Sequence, residues 1–240
     1  MKWTEEYMTD SHDLDFNSVA RTSALMHYVQ ESANAQHRNV GPTLEQIRED
    51  GFAFLVSRFS ISVKRPILPY ERLSVSTFTT ESRGYSFNRI ALIHIDGEEV
   101  AEAHSVWAMV DLENRRPQRV SDSAWFFEPE AYTLPQPPRI VFPKDGVFDE
   151  PVLHRVSYGD CDLNMHMNNT KYVDMLCDLL PMENQFVSAF QIHFLNEARH
   201  GDTLSLLHMQ VDGKDVFRTL CSDGKVNVEA AISLSPISSK

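Results

Sequence analysis

The sequence predicts an α+β chain made of two tandem units, each a helix followed by antiparallel strands. Three observations carry that reading. The order helix, strands, hairpin occurs on both sides of a proline-rich stretch. Segment 60–75 aligns with segment 191–206, matching Ile61 with Ile192, Val63 with Phe194, Glu71 with Asp202 and Leu73 with Leu204, as expected of an internal duplication. Asp96-Gly97, Asp212-Gly213 and Asp223-Gly224 sit between strand-like runs, where such dipeptides favour the tight turns of hairpins.

In the first unit, Val19, Leu25, Tyr28, Val29, Ser32 and Ala33 form an apolar-to-small face on a helix over 21–35. Runs rich in β-branched and aromatic residues follow at 53–63, 73–81, 85–95, 98–110 and 117–120. In the second unit, Asn168 or Asn169 can cap a helix over 169–180. Its positions Tyr172, Val173, Leu176, Leu179 and Leu180 recur at helical spacing, and Pro181 ends it. Strands are expected at 186–195, 203–212, 214–222 and 226–235. Between the units, Pro129, Pro135, Pro137, Pro138 and Pro143 rule out a helix or central strand and predict an extended linker. The expected division is a domain at 1–127, a linker at 128–150 and a domain at 151–240.

Composition narrows the function. The chain has 240 residues, 42% of them hydrophobic, enough for one large core or two small ones. Its net charge of −12 argues against nonspecific nucleic-acid binding. No apolar run is long enough for a membrane helix, and the first residues lack the character of a signal or transit peptide. A cytoplasmic protein without stable membrane insertion is therefore expected. Cys161, Cys177 and Cys221 show no C-x-x-C spacing, so neither a disulfide framework nor a zinc site is expected. No phosphate loop or G-x-S-x-G elbow is present. His193, His200 and His208 lack an accompanying ligand set, and no metal or cofactor is expected.

The chemistry concentrates in 158–172. Asp160, Asp162, Asn164 and His166 alternate at a spacing of two, so an extended segment would project them to one side. A helix follows, whose N-terminal N–H groups could stabilise an oxyanion. Taken singly, Asp162 or Asn164 can cap a helix, His166 can satisfy a buried carbonyl and Glu197 can pair with Arg199. Taken together at this spacing, they point to catalysis.

Here the chain resembles the acyl-ACP thioesterase family, whose members carry D-x-D-x-N-x-H-x-N-N-x-x-Y before the long helix of a hotdog fold. The matching residues are Asp160, Asp162, Asn164, His166, Asn168, Asn169 and Tyr172. Residues 158–162 are also similar to the hydroxybenzoyl-CoA thioesterase branch of that fold, so this motif alone does not separate carrier-protein from CoA thioesters. Residues 105–120 resemble a second family segment, S-x-W-x-M followed by R-R-x-x-R, and tip the balance toward the carrier protein. The resemblance implies two hotdog domains, each a long helix wrapped by a curved antiparallel sheet. It also places a catalytic glutamate at Glu197, before Gly201 and Asp202. Where some relatives have a cysteine after it, this chain has Ala198.

The first unit keeps the acids of 12–19 but lacks the histidine and the paired asparagines, and has Pro66 where the second has Glu197. Chemistry is thus expected in the second unit and acyl-chain binding in the first, near Phe52, Phe54, Leu55, Phe59, Trp107 and Met109. The expected reaction is hydrolysis of fatty acyl-ACP, releasing free fatty acid. Glu197 would be general base or nucleophile, Asn164 and His166 would hold water, and Asp162 would orient both. The backbone N–H groups of Met167 and Asn168 would polarise the carbonyl. Acyl-carrier protein is acidic, so its docking needs a basic patch, for which Lys64, Arg65, Arg115, Arg116 and Arg119 are candidates. An acyl-CoA thioesterase and a noncatalytic acyl-binding hotdog are the alternatives. Acyl length and oligomeric state stay open, a homodimer included.

Overall fold

Strand pairing follows one scheme twice. The computed structural model describes residues 1–122, 127–132 and 139–237. In the first half these form β1 (Lys2–Met8), α1 (Thr22–Val40), α2 (Leu44–Glu49), β2 (Phe52–Val63), β3 (Arg72–Thr79), β4 (Phe87–Ile95), β5 (Glu98–Asp111) and β6 (Arg116–Pro117). In the second they form β7 (Val152–Arg155), α3 (Lys171–Cys177), β8 (Gln185–Phe194), β9 (Thr203–Val211), β10 (Lys214–Leu220) and β11 (Val226–Pro236). The sheet order is β1-β3-β4-β5-β2-β8-β11-β10-β9-β7, with β6 added to β5. Read outward from the β2–β8 junction, the strands of one half repeat those of the other. All the pairings are antiparallel. This is the tandem hotdog architecture.

The junction joins the halves through backbone and core alike. Phe59 lies opposite Ile192 and Ile61 opposite Phe190. All four are buried in one apolar cluster that includes Leu25 of α1, Leu176 of α3 and Phe217 of β10. Fully burying a side chain of this size stabilises by about 1.5–3 kcal/mol, so the junction contributes as core rather than as a surface contact.

α1 buries Thr22, Leu25, Met26, Val29, Ser32, Ala33 and Gln36 along one face at a spacing of three and four, with Tyr28, Ala35 and His37 widening it. The small members of that face let β3 and β1 approach closely. Tyr7 of β1 stacks on Tyr28 at 4.6 Å. α1 is thus longer than the 21–35 expected. α3, by contrast, has only seven residues, because Leu179 and Leu180 donate to Leu176 and Cys177, three residues back, and tighten the chain before Pro181. The Asp-Gly hairpin turns form as expected, with Asp96, Gly97, Asp212 and Gly213 all at positive φ. The strand expected at 117–120 is reduced to Arg116–Pro117, and a 3-10 turn begins at Val120. β1, β7 and α2 have no counterpart in the sequence expectations. Of the linker prolines, Pro129 and Pro143 lie outside regular structure, while Pro135, Pro137 and Pro138 fall outside the described residues.

Candidate active site

A tight turn built by one carboxylate presents the catalytic candidates. Asp162 Oδ1 accepts the backbone N–H groups of Asn164 at 2.8 Å and His166 at 3.4 Å, and its Oδ2 lies 3.4 Å from Asn164 Nδ2. The backbone N–H of Asp162 donates to His166 O. Met165, in the bend, takes φ 62°, a left-handed conformation uncommon for a residue with a side chain. Asp162 therefore shapes the turn and touches the Asn164 side chain. It meets His166 only at the backbone.

The imidazole faces a second segment. His166 Nε2 lies 3.3 Å from Glu197 Oε2. His166 also bridges Arg199, and Met167 N–H donates to Ala198 O at 2.8 Å, so the two segments are stitched by backbone on either side of the contact. The strand leading to Glu197 is anchored from below: Asn227 Nδ2 donates to Asn196 O and to Tyr172 Oη, and Tyr172 packs edge-on to Phe194. Beyond Glu197 the chain turns at Gly201, φ 91°, where Asp202 Oδ2 accepts from Arg199 N–H. The Glu197 side chain is 55% exposed and that of His166 28%, so bulk water reaches the carboxylate.

The expected oxyanion donors are corrected. Met167 N–H is taken by Ala198 O, and Asn168 N–H by Asp160 O at 2.8 Å. At the start of the short α3, the Thr170 N–H and Lys171 N–H are likewise taken, both by Asn168. Among the described residues, Asn169 has a backbone N–H with no acceptor, and Asn169 also lines the adjoining cavity.

That cavity runs between the halves. Met26, Val29 and Ala33 of α1 form one wall, Val56 and Phe59 of β2 and Trp107 of β5 another, and Asn169 and Phe194 close the side toward the second half. Phe59 and Trp107 were expected there. Asp162, Asn164, His166 and Glu197 do not line it; Asn169 and Phe194 connect the two regions in sequence. Arg89 of β4 also lines the cavity and escaped sequence reasoning, although alternation places it on the face of Phe87, Ala91, Ile93 and Ile95, a signal that could have marked it as inward. It is 6% exposed, and burial pulls its guanidinium down to about 10, leaving it cationic at neutral pH.

The basic candidates do not form one patch, which corrects that expectation. Lys64 and Arg65 follow the last residue of β2, whereas Asp111, ahead of Arg115 and Arg116, lies opposite its first. Twelve residues of strand separate the groups, about 36–40 Å. Lys64 is paired with Glu99 and Arg65 with Glu71. From the register of β2 on β8, the chain beyond Phe194 heads to the β2 end that Arg115 and Arg116 share. Arg119, near them, stacks over Tyr85.

None of the thiols is poised as a nucleophile. Burial pushes the Cys177 thiol up to about 12, and desolvation with nearby carboxylates raises Cys161 and Cys221. Cys221 Sγ does approach Glu197, at 4.0 Å from its carbonyl oxygen, a contact invisible in the sequence. Replacing all three with Ala or Ser is expected to preserve turnover while lowering the melting temperature through the lost packing of Cys177. Inactivation of the wild type by a thiol reagent, abolished in Cys161→Ala or Cys221→Ala, would show instead that a cysteine takes part.

The model of the acyl-ACP thioesterase N-terminal domain matches residues 1–125, and that of the C-terminal domain residues 149–234. An oleoyl-acyl carrier protein thioesterase of Coriandrum sativum is 22% identical over 88% of this chain, and a palmitoyl-acyl carrier protein thioesterase of Cuphea hookeriana 24% identical over 85%. The chain spans 64% and 53% of their lengths, respectively. Among solved structures, an acyl-ACP thioesterase of Bacteroides thetaiotaomicron superposes with a TM-score of 0.85 at 22% identity, covering 98% of both chains. The 12:0-ACP thioesterase of Umbellularia californica does so at 0.84 and 19%, covering 98% of this chain and 97% of that one. At these identities the superpositions establish the fold.

Proposed function

The chain belongs to the acyl-ACP thioesterase family, and from that membership we propose that it hydrolyses fatty acyl thioesters of acyl-carrier protein, releasing the free acid. The contact of His166 with Glu197 carries the reading, because it sets an imidazole and a carboxylate side by side where water has access. Water held between them loses a proton to Glu197, its oxygen attacks the thioester carbonyl carbon, and the carbonyl electron pair moves onto oxygen. The Asn169 N–H, beside the cavity, is the donor assigned to that oxyanion. Collapse breaks the C–S bond, and the proton passes to the departing thiolate, leaving acid and carrier thiol. Asn164, held by Asp162, binds the water or the thioester from the open side. Residues 1–127 hold the acyl chain in this scheme, and residues 151–240 perform the chemistry.

A panel of acyl-ACP substrates, with the released acids identified by length, tests the proposal. Matched CoA thioesters separate the two carriers. Absence of hydrolysis of any of them by folded protein would overturn the assignment. Reversing the charge of Arg115 and Arg116 together is expected to raise KM for acyl-ACP severalfold, most at low salt where exposed charges are least screened, while sparing acyl-CoA. An equal rise for both carriers would remove these arginines from docking.

A further inference from the structure

A cation lines the otherwise largely apolar cavity between the halves. Its wall runs along α1 from Met26 to Ala33, about 10 Å of helix, starting at the end of α1 that precedes Ala33 and meeting Asn169 on the side of the second half. At the other side Arg89 Nη1 donates to Gln36 Oε1 at 2.6 Å and Thr77 Oγ1 at 3.2 Å, and the guanidinium lies over the Phe127 ring at 5.5 Å. Nε and Nη2 donate to no described residue, and no described carboxylate pairs with the charge. Ser105, which also lines the cavity, already accepts from Trp107 Nε1. A buried cation held by neutral groups alone is costly, and an alkyl tail pressed against it would add to that cost. An oxyanion would supply the missing counter-charge and take up the free donors, as guanidinium and carboxylate do wherever they pair.

We propose that Arg89 is a specificity-determining residue, reading the far end of the acyl group, and that the preferred substrates are medium-length acyl thioesters whose tail ends in a carboxylate. The proposal rests on the thioesterase reading for its turnover but not for its binding. Neutral Gln36 and Thr77 hold the guanidinium by one nitrogen and leave the rest of its fork to the ligand.

Calorimetric binding of the ten-carbon monocarboxylate and dicarboxylate to the full chain tests it without chemistry. The dicarboxylate is expected to bind the wild type at least about tenfold more tightly. In Arg89→Met that order is expected to reverse, and Arg89→Lys, which keeps the charge but loses the fork, should fall between. Turnover of the matching ten-carbon thioesters, plain and carboxyl-tailed, should follow the same ranking in kcat/KM. Equal binding of the two acids by wild type, or a dicarboxylate preference that persists in Arg89→Met, would overturn the proposal. If Arg89→Met does not fold, the wild-type ratio and the Lys variant decide it. A dicarboxylate preference with no hydrolysis of either thioester would leave the Arg89 site standing and sink the thioesterase reading.

Discussion

Glu197→Ala and His166→Ala are each expected to lower kcat for acyl-ACP hydrolysis by at least about a hundredfold, the scale of a general base or its positioned partner. Both side chains stand at the surface of the turn rather than in the core, so the folded state should survive. Near-UV circular dichroism and the melting temperature check that. Glu197→Gln separates charge from shape: it keeps the volume and removes the base. If Gln retained wild-type turnover while Ala did not, the carboxylate would be a spacer. Double replacement should cost little more than either single one, because residues that act as one unit are not additive. A double variant with the product of both losses would mean independent roles.

Phe190→Ala is expected to destabilise the protein by about 3–5 kcal/mol. The ring is 1% exposed and paired on one side with Ile61 of the first half and on the other with Ile232 of the second. The three tryptophans, Trp3, Trp107 and Trp125, all belong to the first half. Trp3 and Trp107 sit on β1 and β5, so their fluorescence follows the first half and, through the cavity that Trp107 shares with Asn169 and Phe194, its contact with the second, where the substitution lies. Urea titration should show the tryptophan transition moving to lower denaturant together with the far-UV signal, as one cooperative unit. A tryptophan transition unmoved by Phe190→Ala would mean that the halves unfold separately despite the shared sheet.

Much of this was legible in the chain. Aligning Ile61 with Ile192 and Leu73 with Leu204 pairs β2 with β8 and β3 with β9, the strands that occupy equivalent places in the sheet, because repeated burial patterns survive where chemistry has diverged. The Asp162 to His166 motif was legible because its residue types are rare together, and the family resemblance pointed to Glu197, which meets it in space. What escaped was what depends on long-range placement. β7 has four residues, too few for a periodic signal, and in β1 Glu5 interrupts the apolar alternation of Trp3 and Tyr7. The donors at Met167 and Asn168 were assigned from a helix start, but the backbone of Ala198 and Asp160 had already claimed them. Arg89 interrupts the apolar face that Phe87, Ala91, Ile93 and Ile95 form in β4, and the packing of Gln36, Thr77 and Phe127 around it shows how that charge is held.

The order of strands also limits what the sheet can add to itself. Among the described residues, β1 and β7 end the path of the sheet and the two-residue β6 edges it beside β5, and a margin with free N–H and C=O groups is a template on which further chains can polymerise. β7 offers four residues, too short a register to hold another strand firmly. β1 carries Lys2, Glu5 and Glu6 within seven residues, so the same segment of a second molecule laid against it parallel and in register would bring like charges together. By joining β2 to β8 inside one chain, duplication set two long hydrophobic strands in the middle of the sheet and left shorter pieces outside. Among the described residues the ribbon therefore ends on short strands rather than on its hydrophobic centre.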